Sequence, residues 1–105
     1  MNAEALVATF AALGEPTRWA VLAALGEGDA SASALAARLP VSRQAIAKHL
    51  AVLAEVGLVE QVRVGREIRY RALGTELSAV ARELDRVGAE WEHRLALIRD
   101  IAEGL

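Results

Sequence analysis

The chain has 105 residues, no cysteine, 54% apolar residues but only 4% aromatic ones, and a formal net charge of −2. Its length suits one domain with a single core, and the lack of thiols excludes disulfides, thiolate metal sites, a cysteine nucleophile and a thiol redox switch together. Burial must come from Ala, Leu and Val, which favours helices; no apolar run approaches the ~20 residues of a membrane span and no basic start leads into a long apolar stretch, so the expected setting is the cytoplasm, with no membrane partner.

From the N-terminus, residues 3–13 place Leu6, Phe10 and Leu13 on one face with Val7 beside them, a short amphipathic helix closed by Gly14. Pro16 restarts the chain at a first helical position, where a missing amide costs nothing, and Val21, Leu22 and Leu25 continue a second helix until Gly26 and Gly28. Trp19 on that helix reads as core edge or subunit contact. Ser33 is the expected cap of a third helix that turns Leu35, Ala36 and Leu39 inward and stops at Pro40.

Residues 41–57 combine a helix start at Ser42, an apolar stripe of Ile46, Leu50 and Leu53, and a stop at Gly57. Arg43, Gln44, Lys48 and His49 are left facing outward or towards the flank. Arg and Gln carry paired groups that fit base edges in the DNA major groove, and Lys is a point charge for phosphate. Helices of roughly seven and fifteen residues joined by a turn of about three have the dimensions of a helix-turn-helix.

Residues 58–64 and 67–73 alternate with period two around Gly65-Arg66 and predict a β-hairpin. Ile68, Tyr70 and Ala72 share one face; Glu67, Arg69 and Arg71 take the other, with Arg63 and Arg66 at the tip. Charge follows the same map. Residues 1–37 and 72–105 each sum to −3, whereas 38–71 sum to +4, the footprint expected of a phosphate-backbone binder.

Residues 75–103 predict one long helix capped by Thr75. Leu77, Val80, Leu84, Val87, Trp91, Arg94, Ile98, Ile101 and Leu105 step by three and four alternately, a coiled-coil-like stripe in which only Arg94 is polar. Such a stripe is too long for a domain this small to cover, and a symmetric homodimer joined with help from the first helix is the expected solution. Gly88 at mid-helix marks a close crossing or a bend.

In this order the elements resemble the ArsR-type winged helix-turn-helix repressors of bacteria over roughly residues 5–100. The residues carrying the resemblance are Leu13-Gly14-Glu15-Pro16-Thr17-Arg18, the run Val41 to Leu53, Glu55-Val56-Gly57-Leu58-Val59, and Gly65-Arg66. It implies a mainly α winged helix-turn-helix of about five helices plus a two-stranded β-hairpin wing, with residues 1–105 as one domain and 1–13 and 75–105 as dimerisation helices. It further implies a homodimer that binds double-stranded DNA at a pseudo-palindromic operator and excludes polymerase. Carried over by position, Ser42, Arg43, Gln44, Lys48 and His49 face the major groove or its phosphates, and Arg63, Arg66 and Arg69 serve the wing. Leu6, Phe10, Leu77, Val80, Leu84, Val87, Trp91 and Ile98 form the dimer interface.

The absence of cysteine departs from relatives that sense soft metals through thiolates. The final helix offers Asp85, Glu90, Glu92 and His93, with Glu90 and His93 one turn apart, but zinc prefers more than one imidazole or thiolate, so no metal or other cofactor is expected. The resemblance to the non-metal subgroup implies a small organic effector, a partner protein, or action without an effector. The rival class is a winged-helix module that binds protein; it does not need Arg43, Gln44, Arg63 and Arg66 in register. Catalysis is not expected, because Glu90, Glu92 and His93 have no glycine loop, nucleophile or metal cluster beside them.

Overall fold

The computed structural model describes residues 2–104. Met1 and Leu105, the latter the last apolar position of the C-terminal stripe, lie outside the described residues. Along the chain come α1 (Ala3–Leu13), α2 (Pro16–Glu27), β1 (Ala30–Ser31), α3 (Ala32–Arg38), α4 (Arg43–Glu55), β2 (Val59–Val64), β3 (Glu67–Ala72) and α5 (Gly74–Glu103).

Each helix start is explained locally except one. Asn2 accepts from the Ala5 amide at 2.7 Å, and the Glu15 carboxylate accepts from the Arg18 amide at 2.8 Å beside Pro16. Arg18 in turn donates from Nε to the Ala12 carbonyl at 2.7 Å, so the Glu15-Pro16-Thr17-Arg18 segment closes α1 and opens α2 as one joint. Ser42 caps α4 as expected, accepting from the Ala45 amide at 3.2 Å. Ser31, not Ser33, caps α3, accepting from the Ala34 amide at 3.1 Å. Ala30 and Ser31 are already extended because they pair with Tyr70 and Arg69 of β3, which places Ser31 at the turn into helix. The expected Thr75 cap is also absent: α5 begins at Gly74, and Leu73, with no side-chain cap, supplies the carbonyl that accepts from the Glu76 and Leu77 amides.

The end of α4 carries a Schellman closure. Gly57 takes a φ of +80°, which only glycine adopts at low cost, while its amide donates to Ala54 and the Leu58 amide to Leu53, both at 3.0 Å. Leu53 and Leu58 are both fully buried, so the stop is bonded and packed. At the wing, Val64 pairs with Glu67 across Gly65 and Arg66, and Gly65 at φ +63° makes the two-residue turn. The sheet has three strands in the order β1-β3-β2, one more than the hairpin expected from the sequence.

Val21, Leu22, Leu25, Leu35, Ile46, Leu50, Leu53, Leu58 and Val59 form the core, with Tyr70, Ala72 and Leu77 packed against it. Leu50 is completely shielded. Leu50→Ala is expected to cost about 2–5 kcal/mol of unfolding free energy, measured by urea denaturation, because a closely packed site relaxes only partly around the cavity. The one buried polar side chain among the described residues, Thr9, donates to the Ala5 carbonyl at 2.9 Å.

The long axis of the protein is α5. A radius of gyration of 18.5 Å and extents of 69 × 24 × 24 Å far exceed the radius of about 13 Å typical of a compact chain this long. Of α5 only Val80 is buried, and the helix runs unbroken through Gly88.

Candidate nucleic-acid interface

Helix α4 turns Ile46, Leu50 and Leu53 into the core, and this fixes what faces out: Arg43, Gln44, Ala47, Lys48 and Ala51 are exposed. Ser42, also exposed, accepts a hydrogen bond as cap and keeps its own proton to donate. Arg43 is not extended freely from the face; its Nε donates to Ser33 Oγ of α3 at 2.9 Å. Between α4, the start of α3 and the wing lies a groove of about 440 Å³, whose lining includes Ser33, Arg43, Ala47, Arg66 and Tyr70. Helix α4 and the wing tip therefore line one common space with Arg43 and Arg66, Glu67 standing beside them and paired to Arg69.

His49 sits elsewhere. Its side chain is only 20% exposed, and Nδ1 lies 3.8 Å from Oε2 of Glu15, the residue that caps α2. It belongs to the joint between α4 and α2, on the flank of the helix and apart from Gln44 and Lys48. Arg69 stands on wing strand β3 as expected, but its Nη2 lies 3.1 Å from Oε2 of Glu67 on the same strand and the residue is half-buried.

Ion pairing sorts the basic residues of the central segment. Arg38 is taken by Glu27 at 2.6 Å, Arg69 by Glu67, and Arg71 by Asp29 at 2.9 Å and Glu60 at 3.8 Å. The Arg71 guanidinium is held above its ordinary pKa by the hydrogen bond to Asp29 and by that carboxylate's charge. Of these pairs, Arg71–Asp29 ties the hairpin to the segment after α2, while Arg38–Glu27 joins α3 to α2. Among the described residues, Arg43, Lys48, Arg63 and Arg66 have no acidic group within 4.0 Å, and all four lie on α4 or the wing.

Sequence reasoning missed Ala47, Ser33 and Tyr70 as lining of this groove. Ala47 carried a legible signal, since it stands one helical turn after Arg43 on the polar face; Ser33 and Tyr70 arrive there only through strand pairing.

The family described as Helix-turn-helix domain matches residues 13–62. The HTH-type transcriptional regulator CmtR of Mycobacterium tuberculosis is 36% identical over 87 residues, covering 83% of this chain and 74% of that protein. The solved structure of an ArsR-like transcriptional regulator from Rhodococcus sp. RHA1 superposes with a TM-score of 0.90 at 64% identity, covering 94% of this chain and 93% of that one. The chain belongs to the ArsR family of winged helix-turn-helix transcriptional regulators. An NMR structure of a possible ArsR-family regulator from Mycobacterium bovis, described as a homodimeric winged helix-turn-helix DNA-binding domain, is 26% identical with a TM-score of 0.66, covering 88% of this chain and 82% of that one. The ArsR family is one of regulators rather than enzymes.

The ArsR-type frame also locates the apolar surface left over. On α5, Leu84, Trp91, Leu95, Leu97, Ile98 and Ile101 are exposed, as are Val7 and Phe10 of α1; Leu6 and Val87 are half-buried. Leu77 and Val80, expected at the dimer interface, are instead used within the protomer: Leu77 packs on the core and Val80 is 6% exposed, because the first turns of α5 close over their own domain. Arg94, the polar interruption of the stripe, places Cζ 5.5 Å from the Trp91 ring centroid, a cation–π contact that keeps its charge on the aromatic surface.

Glu90 is occupied by Arg86 at 2.8 Å, which also holds Glu83 at 2.6 Å. That hydrogen bond keeps the Glu83 carboxyl below its ordinary pKa, so its contribution to stability is present above the unfolded carboxylate range and lost as pH falls through the folded value. Among the described residues no group of three or more His, Cys, Asp or Glu is placed to hold a metal ion, and no helix is long and apolar enough to cross a membrane.

Proposed function

We propose that the protein acts as a homodimeric repressor that binds a pseudo-palindromic operator in double-stranded DNA, in the cytoplasm, as a single domain over residues 1–105 with 1–13 and 75–105 as its dimerisation helices. The observation that carries this reading is the shared groove lined by Arg43 of α4 and Arg66 of the wing, neither of them ion-paired among the described residues, while Glu67, which also lines it, is held by Arg69. In it α4 enters the major groove, Gln44 meets base edges, Ser42 and Lys48 meet the flanking phosphates, and Arg63 and Arg66 hold the backbone beside the wing. His49 acts from behind by holding α4 to Glu15, and Arg69 supports the wing strand. The dimer forms through Phe10, Leu84, Val87, Trp91 and Ile98, with Leu6 at its edge. Release from DNA falls to a small organic effector or a partner protein.

Selection of bound duplexes from a randomised pool tests the reading. A two-fold dimer sets its recognition helices about 34–36 Å apart, so the enriched sequence is expected to be an inverted repeat with half-site centres about 10–10.5 base pairs apart. Enrichment of no sequence, together with retention of a protein partner, would assign the surface to protein recognition.

A further inference from the structure

The exposed face of α4 has an apolar centre. Ala47 is exposed and lines the groove with Arg43 and Arg66; one turn further on the same face, Ala51 is exposed as well. Neither alanine serves the core, which α4 reaches through Ile46, Leu50 and Leu53. The long side chains stand at the edges of this patch: Arg43 is drawn aside to Ser33 Oγ at 2.9 Å, while Gln44 and Lys48 flank Ala47.

We propose that Ala47 is a specificity-determining residue, reading the 5-methyl group of a thymine in each half-site. The inference rests on the DNA-binding role above and adds to it a base identity. The apolar feature that the major-groove edge of the base pairs offers is the thymine methyl, and alanine is a side chain that meets it. A single methyl also lets the α4 backbone come close to the base edges, and it neither donates nor accepts a hydrogen bond, so it rewards thymine over cytosine, which has no methyl at that carbon. Arg43 and Arg66, on two sides of the same groove, supply the phosphate grip that presses this part of the helix against the duplex. Gln44, three residues earlier on the same face, is suited to the paired donor and acceptor of an adjacent adenine. Each half-site therefore holds A·T pairs under the first two turns of α4.

The probe is a duplex selected from a randomised pool, with each thymine replaced in turn by deoxyuridine, which removes the methyl and leaves every hydrogen-bonding group. Fluorescence anisotropy is expected to show one thymine position per half-site where the change weakens binding by about fourfold, and by roughly fifteenfold when made in both half-sites, the loss that follows from exposing about one buried carbon per contact. Ala47→Gly removes the Cβ carbon that meets the methyl and is expected to bring the thymine-to-uracil ratio at that position to about one, with a helical circular dichroism spectrum retained. Indifference of the unsubstituted protein to deoxyuridine at every position, with tight binding retained, would overturn the inference and leave the DNA-binding role standing. A ratio unaltered in Ala47→Gly would also overturn it, by assigning the methyl to another side chain. Failure to enrich any sequence would overturn both.

Discussion

Trp91→Asp combined with Ile98→Asp is expected to convert the protein from twice the chain mass to once in light scattering, and to weaken operator binding by about 10²–10⁴-fold. Both side chains are more than half exposed in the protomer, at 57% and 62%, on the part of α5 that projects beyond the core. Fully burying a large apolar side chain is worth about 1.5–3 kcal/mol, and with about three fifths of each left to bury, losing two from each protomer removes roughly 3.5–7 kcal/mol of association energy before the cost of desolvating aspartate is added. Operator affinity follows because two half-sites are held through one dimer, and a monomer loses the gain from binding the second without a second encounter. The monomeric variant is expected to keep its helical circular dichroism spectrum, since Ile46, Leu50, Leu53 and Leu58 of the core are untouched, but to melt lower and independently of protein concentration, because association no longer stabilises the folded state. A dimer of unchanged mass would exclude this face of α5 as the interface.

Arg43→Ala combined with Arg66→Ala is expected to flatten the dependence of log affinity on log salt by about 4, because each dimer loses four phosphate contacts and each contributes a slope of about 0.9. The control is Arg69→Ala combined with Arg71→Ala, which removes the same formal charge. Those guanidiniums are already held by Glu67, Asp29 and Glu60, so their loss is expected to change the salt slope far less, although it frees the strand end from Asp29. Equal slopes for the two double variants, measured from 0.05 to 0.3 M potassium chloride, would mean that net charge alone governs binding and that pairing within the protein does not select which cations reach DNA.

Helix α4 was legible because its signals are local. Ser42 accepts from an amide three residues away, Ile46, Leu50 and Leu53 repeat with the helical period, and Gly57 supplies a backbone angle that few residues tolerate. The wing turn was legible for the same reason. Strand β1 was not, since two residues cannot display a period of two, and it exists through Ala30 pairing with Tyr70 and Ser31 with Arg69, some forty residues along the chain. That pairing decided which of two nearby serines caps α3. A long-range contact likewise displaced the expected cap of α5: the Leu73 amide donates to the Leu58 carbonyl at 2.9 Å, fixing the backbone so that the helix starts one residue before Thr75.

The candidate interface divides the same way. Sequence alone determined that positive charge gathers in residues 38–71, that α4 has a polar face carrying Arg43, Gln44 and Lys48, and that the final helix bears an apolar stripe, because composition and periodicity are properties of the chain read in order. Tertiary structure alone decided which charges are left over. Arg38, Arg69 and Arg71 met carboxylates, two of them from the acidic N-terminal segment, and His49 met Glu15, whereas Arg43 met a serine hydroxyl and no acid among the described residues, in the groove it shares with Arg66. Tertiary structure also divided the stripe, turning Val80 inward while leaving Trp91 and Ile98 exposed. The physical reason is range: periodicity sets where a side chain points on its own element, but Coulomb attraction, burial and strand pairing act between elements distant in sequence, and only the folded chain brings those together.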